Sequence, residues 1–216
     1  MKRGVKVSHN VIRRLPRYLR KLDELTEAGV SRISSGELGR QLGLTPSQIR
    51  QDFSCFGEFG QQGYGYNVSD LRVEIGKILG LDKQTPMILL GAGNLGKAIA
   101  THIDFRNKGF DLIGAFDINP DLIGKELGEL TVRGIDEIST FCAENKPVAA
   151  ILCVPMSAAE KLADTLIECG IKAFWNFTHY DLKVTHKGIA VENVHLGDSL
   201  TTLSYGLNYL DEKTKM

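Results

Sequence analysis

The run Gly91-Ala92-Gly93-Asn94-Leu95-Gly96 has the G-x-G-x-x-G spacing, and an acidic residue, Asp117, follows its last glycine by 21 positions. Glycines so spaced have separate physical tasks: Gly91 permits a tight turn, Gly93 lets backbone approach a pyrophosphate, and Gly96 lets a helix pack closely on a sheet. The helix that opens behind such a loop offers unpaired N–H groups to phosphate oxygens. A carboxylate at the end of the following strand accepts from ribose hydroxyls and repels a 2′-phosphate, so Asp117 favours NAD(H) over NADP(H). Ala92, Asn94 and Leu95 complete the loop. Val154, Pro155, Asn176, Phe177 and Thr178 fall at two further expected strand ends, the edge at which doubly wound sheets take their ligands.

A second group of residues has the chemistry of polyanion binding. The zero net charge conceals an asymmetry: residues 1–83 carry 14 Lys/Arg against 9 Asp/Glu, and residues 84–216 carry 12 against 17. A basic front half suits a nucleic-acid backbone. Within it, Ser34-Ser35-Gly36-Glu37 has the S-x-x-E capping pattern, and Thr45-Pro46-Ser47-Gln48 has T-x-x-Q with proline at the first helical position. These predict short helices over 35–41 and 46–56 joined by a turn at Gly43-Leu44. That is a helix-turn-helix, whose second helix presents Ser47, Gln48, Arg50 and Gln51 on its leading turns. Residues 57–67 are too rich in glycine and aromatics for a helix and read as a β-hairpin wing with Gly63 and Tyr64 at its tip. Arg13, Arg14, Arg17, Arg32, Arg40 and Arg50 are the expected phosphate contacts, so affinity should fall steeply with salt.

The elements that hold these groups follow from periodicity. Val11, Ile12, Leu15, Leu19, Leu22 and Leu25 recur at helical spacing, with the main helix expected to begin near Pro16 and stop at Gly29. Asn67 caps a helix over 68–79, and the polar run 81–86 marks a domain boundary. Beyond it strands at 87–90, 112–116, 149–154 and 173–176 alternate with helices reaching about 107 and at 135–144 and 158–169, which is a parallel, doubly wound sheet. Leu196, Leu200, Leu203, Leu207 and Leu210 form a leucine stripe on a closing helix, suited either to packing on its own domain or to exchange between two subunits. The expected fold is therefore α/β: a winged helix-turn-helix domain over 1–83, a Rossmann-type domain over 84–196, and a C-terminal helix over 197–216.

Several classes are excluded or disfavoured. No apolar run approaches the ~20 residues of a membrane span, and no apolar segment follows the basic N-terminus as a secretory signal requires, so a cytoplasmic location is expected. Cys55, Cys142, Cys153 and Cys169 lack metal-ligand spacing and read as reduced, mostly buried thiols; no metal is expected. An NAD-dependent dehydrogenase would need a substrate domain for which little chain remains. His179, His186 and His195 sit in no catalytic signature. A Rossmann domain binding another adenosine nucleotide such as coenzyme A stays open on these residues.

The most specific segments are Arg17-Tyr18-Leu19-Arg20, Ile33-Ser34-Ser35, Ser47-Gln48-Ile49-Arg50-Gln51-Asp52, Phe56-Gly57-Glu58-Phe59-Gly60 with Gly63-Tyr64-Gly65-Tyr66-Asn67-Val68, the glycine loop, Asn176-Phe177, and Val191-Glu192-Asn193-Val194. In this order, over about residues 11–209, they resemble the redox-sensing repressor family Rex. The resemblance implies a homodimer with a swapped C-terminal helix that binds a palindromic double-stranded operator when NADH is scarce and releases it when NADH binds. It also implies target genes serving NADH reoxidation, and no catalysis. In the family pattern Arg20, His102 and His195 occupy positions that link the cofactor pocket to the DNA-binding domain. His102 stands where tyrosine is usual, His195 where aspartate is usual, and Leu196 where an aromatic is usual; Gln51 replaces a frequent lysine. A carboxylate distinguishes the cationic oxidised nicotinamide from the neutral reduced ring, and a histidine does so oppositely or weakly. The expectation is retained dinucleotide binding with altered redox preference or coupling, against the alternative that both histidines substitute passively.

Overall fold

The structure, a computed structural model, describes residues 7–57, 59–61 and 64–214. The chain divides into two compact units, Met1–Lys83 and Gln84–Met216.

In the first unit α1 (His9–Glu27) starts at Ser8, whose hydroxyl accepts from the Val11 N–H. The break expected at Pro16 does not occur. Pro16 lies inside one continuous helix on its exposed side, where water can satisfy the carbonyl its ring deprives of a donor. Burial of Val11, Leu15, Tyr18, Leu22 and Leu25 along the opposite face holds both halves in line. Ile12, expected on that face, is exposed, and Tyr18 takes a place in the core. After β1 (Arg32–Ile33), α2 (Ser35–Leu42) begins at the Ser34 cap and ends at Gly43, which is left-handed at φ 66°. The cap is one-sided: Glu37 accepts from Gln41 at 3.0 Å and pairs with Arg40 at 2.7 Å instead of turning back. Thr45 caps α3 (Pro46–Ser54), two residues shorter than expected. The wing forms as β2 (Gly60–Gln61) and β3 (Gly65–Asn67), in an antiparallel sheet ordered β1-β3-β2. At Gly65, φ is +70° and a Cβ would lie 2.6 Å from the Ile33 carbonyl oxygen, so the close strand pairing requires glycine. Asn67 caps α4 (Val68–Leu79), whose Val68, Leu71 and Ile75 join Leu15, Tyr18, Leu38, Ile49 and Phe53 in one core.

The second unit is built on β4 (Thr85–Leu90), with α5 (Asn94–His102), β5 (Phe110–Asp117), β6 (Glu126–Leu127), β7 (Leu130–Gly134), α6 (Ile138–Asn145), β8 (Ala149–Leu152), α7 (Met156–Glu168), β9 (Ala173–Asn176), α8 (Leu182–Thr185), β10 (Ala190–Asn193) and α9 (Leu196–Thr214) following in order. The sheet runs β10-β9-β8-β4-β5-β7-β6, parallel except for the antiparallel β6–β7 pair. Its central strands are apolar on both faces, as a sheet covered on two sides requires. Three sequence expectations change. The helix after the glycine loop stops at His102 rather than near residue 107. The β6–β7 hairpin was not foreseen, because β6 has only two residues and β7 alternates over Leu130 and Val132 alone. Edge strand β10 was missed as well, since only Ala190 and Val191 in it are apolar. Leu196, Leu200, Leu203 and Leu207 of α9 remain between 57% and 68% exposed, so the stripe does not pack on its own domain.

A Cβ at Gly96 would lie 1.9 Å from the Gly91 carbonyl oxygen, whereas one at Gly93 would meet nothing within 4 Å. Gly96→Ala should therefore destabilise the second unit by roughly 3 kcal/mol, read as a lowered melting temperature, while Gly93→Ala melts like the parent.

Candidate functional site

The glycine loop joins β4 to α5 at the carboxyl edge of the sheet. Gly91 has φ +94°, and a Cβ there would sit 2.5 Å from the Cys153 carbonyl oxygen. Gly91 and Gly96 are thus demanded by the chain's own backbone; Gly93 alone faces open space, with Asn94 and Leu95 exposed beside it. Gly93 is the N-cap of α5 and supplies no side-chain cap, which leaves the first-turn N–H groups directed toward that space. Asp117 ends β5. Its Oδ2 accepts from the Ala92 N–H at 2.6 Å and its Oδ1 from the Asn119 N–H at 2.8 Å. Each oxygen keeps a second lone pair, so the carboxylate can close the loop and still accept from a hydroxyl.

On the other half of the edge, Val154 is half-buried and Pro155, the N-cap of α7, is exposed. Asn176 is fully buried and saturated: its Nδ2 donates to the Tyr180 carbonyl and Asn193 Oδ1, and its Oδ1 accepts from the Thr178 N–H and hydroxyl. It ties the end of β9 to the segment that follows and to β10 rather than presenting a free amide. The Phe177 ring meets Trp175 edge-on at 4.8 Å, and Thr178 is buried.

The two histidines singled out from sequence lie apart. His195, just before α9, holds Nε2 at 3.1 Å from the Thr178 carbonyl, which can only accept; its Nδ1 is 3.3 Å from Asp198, and its ring lies 5.0 Å from that of His179. His102 ends α5 at the opposite edge. There it lines a cavity of about 740 Å³ with Met87, Phe110 and Trp175, and its Nδ1 lies 2.8 Å from the Thr101 hydroxyl. Arg20 is exposed on α1 of the first unit.

On the winged unit, Ser47 and Gln51 of α3 are exposed and Gln48 is half-buried. Arg50 braces the turn by donating to Ser35 Oγ at 3.0 Å and Ser47 Oγ at 3.3 Å. Arg17 donates to the Leu42 carbonyl at 2.6 Å, Arg13 is exposed, and Arg32 donates to the Tyr64 carbonyl at 3.3 Å below an exposed Tyr64 ring. Gly63 lies outside the described residues. Arg14 differs from the phosphate-facing role expected of it: Nε and Nη2 are both engaged by buried Asp52, at 2.6 and 2.7 Å. That hydrogen-bonded carboxylate raises the Arg14 pKa further, and burial, followed by the bond to Asp52, raises that of Tyr18. Sequence reasoning missed Asp52 and Tyr18. An acid between Ile49 and Phe53 on the inward face of α3 was the available signal, because such a group needs a cationic partner.

A winged helix-turn-helix ahead of a glycine-loop Rossmann sheet defines a class, the ligand-responsive transcription regulators. Residues 6–54 match a family described as "Putative DNA-binding protein N-terminus" and residues 82–180 one described as "CoA binding domain". The "Redox-sensing transcriptional repressor Rex" of Thermoanaerobacter pseudethanolicus is 53% identical over 96% of this chain and 92% of its own length. Among solved structures, "RSP in complex with beta-NAD+ and operator DNA" is 51% identical, with a TM-score of 0.90 over 98% of this chain and 97% of that one. "RSP in complex with beta-NADH" is 48% identical, with a TM-score of 0.88 over 98% and 99%. The chain belongs to the Rex family of redox-sensing transcriptional repressors, which are regulators rather than enzymes.

Burial pushes the Cys153 thiol, beside the glycine loop, up to about 12, and burial with the neighbouring Cys169 pushes Cys142 up to about 11. Alkylation of the native protein at pH 8 should therefore modify Cys55 and Cys169 first. Cys153 should label far more slowly than either between pH 7 and 9, because that far below its raised pKa only a trace of it is thiolate.

Proposed function

We infer that this chain represses transcription by binding operator DNA through its winged unit and reads the NADH/NAD⁺ balance through its Rossmann unit. The observation that carries this reading is the full-length likeness to a repressor whose structure holds both NAD⁺ and operator DNA. The residues present fit a dinucleotide. Open space at Gly93 and the uncapped start of α5 suit a pyrophosphate, and Asp117 suits a ribose diol. Val154, Pro155, Phe177 and Thr178 would border the nicotinamide half, and Asn176 would hold that wall in place. When bound, the dinucleotide supplies a ring whose charge depends on its redox state.

On the DNA side, Ser47, Gln48 and Gln51 would meet base edges in the major groove. Arg13, Arg17, Arg32 and Arg50 would lie near phosphates, and the wing, through Tyr64 and the sequence-assigned Gly63, would meet the backbone or minor groove. The exposed leucine stripe of α9 supports a homodimer, and two-fold symmetry calls for a palindromic operator. A cytoplasmic setting accords with the absence of a helix long and apolar enough to cross a membrane among the described residues. The coenzyme A description of the matched Rossmann family offers a second ligand, but solved relatives at about 50% identity hold NAD⁺ and NADH.

A fluorescently labelled operator duplex titrated with NADH and with NAD⁺ at fixed salt tests the reading. NADH should release the duplex at concentrations where NAD⁺ leaves it bound; release by neither would exclude redox sensing. His195 tunes this preference. Replacing it by aspartate should raise affinity for NAD⁺ relative to NADH about tenfold, the scale of one charge acting across a partly solvated site, and a ratio unchanged from that of a distant surface substitution would make His195 passive.

A further inference from the structure

Asp52 lies on the same helix as the outward-facing Ser47 and Gln51, yet it is only 2% exposed. Both of its oxygens are held from α1. Arg14 approaches as a fork, Nε to Oδ2 at 2.6 Å and Nη2 to Oδ1 at 2.7 Å, and the Tyr18 hydroxyl donates to Oδ2 at 2.6 Å. Arg14 and Tyr18 are four residues apart and so project from one face of α1. Ile49 and Phe53, on either side of Asp52, also fasten α3 to the core, and Tyr18 meets the Phe53 ring edge-on at 5.0 Å.

These two kinds of contact constrain different things. Apolar packing is non-directional and tolerates rotation of a helix about its own axis. A bidentate guanidinium–carboxylate pair is planar and directional. A buried ion pair adds little net stability because desolvation offsets its attraction, so the consequence of this one is angular. A turn of α3 by ~20° would carry side-chain tips at its ~6 Å outer radius through about 2 Å, enough to break a hydrogen bond to a base edge.

We propose that Arg14 and Tyr18 are positioning residues for DNA recognition: through Asp52 they fix the rotation of α3, so that discrimination between operator and other DNA depends on them although neither serves as a phosphate ligand. This rests on the repressor reading above. It separates Arg14 from Arg13, Arg17, Arg32 and Arg50, whose removal should weaken binding to all duplexes alike.

The test uses the full-length protein, the duplex that it enriches from a random pool, and a scrambled duplex of equal length, each titrated over a range of salt with melting followed in parallel. Arg14→Lys keeps the charge and removes the fork. It should weaken binding to the enriched duplex about tenfold, the scale of a lost base contact, with affinity for the scrambled duplex and the salt slope both unchanged. Tyr18→Phe, which removes a single hydrogen bond, should act in the same direction and less. Arg14→Met then tests the charge itself: a salt slope reduced by about 0.9 per subunit, with both duplexes weakened equally, would make Arg14 a phosphate ligand and overturn the proposal. Equal weakening of both duplexes in step with a lowered melting temperature would reduce the cluster to a structural role and likewise overturn it. If the parent enriches no duplex, the repressor reading fails. If it enriches one that Arg14→Lys binds equally well, only the positioning role fails.

Discussion

The carbonyl oxygen of Gly91 occupies the place where a side chain at position 96 would begin, and this backbone-on-backbone approach governs the second unit. It lets α5 start directly over the end of β4, the strand that pairs with both β5 and β8 at the centre of the sheet. From that start follow the open face at Gly93, the outward first-turn N–H groups, and the reach of Asp117 back to the Ala92 N–H at 2.6 Å. A side chain at position 96 would push α5 off the loop, and one at position 91 would push the loop off the Cys153 carbonyl, so either disturbs this arrangement.

The winged unit solves a different problem, because its outward surface must be basic while its interior must be dry. Glycine again sets the close approaches, at Gly65 against β1 and at Gly39, where a Cβ would lie 2.5 Å from the Leu44 carbonyl oxygen. Among the described residues of this unit the one buried carboxylate, Asp52, is neutralised where it stands, so the charge that enters the core brings its own counter-ion.

What could be read from sequence divides along a physical line. The glycine loop, the caps at Ser34, Thr45 and Asn67, and the central strands were legible because each is enforced by local sterics or by burial over several residues. Counting arginines could not reveal that Arg14 is committed to a residue 38 positions away. Nor could family pattern show that His102 and His195 sit at opposite edges of one sheet, since strand direction, not spacing, decides that. Pro16 misled for a related reason: its effect depends on which side of the helix meets water.

The double grip of Asp117 has a consequence for how this site can diverge. The same carboxylate that would read a ribose also ties the Ala92 and Asn119 backbones together. A change of cofactor class therefore cannot be made at position 117 alone, since a neutral or basic residue that welcomed a 2′-phosphate would leave two amides without their acceptor. With Asp117 as the proposed ribose reader, discrimination and loop closure would be one trait, and a lineage drifting toward the phosphorylated dinucleotide would need a new anchor for the loop before it could give up the old one.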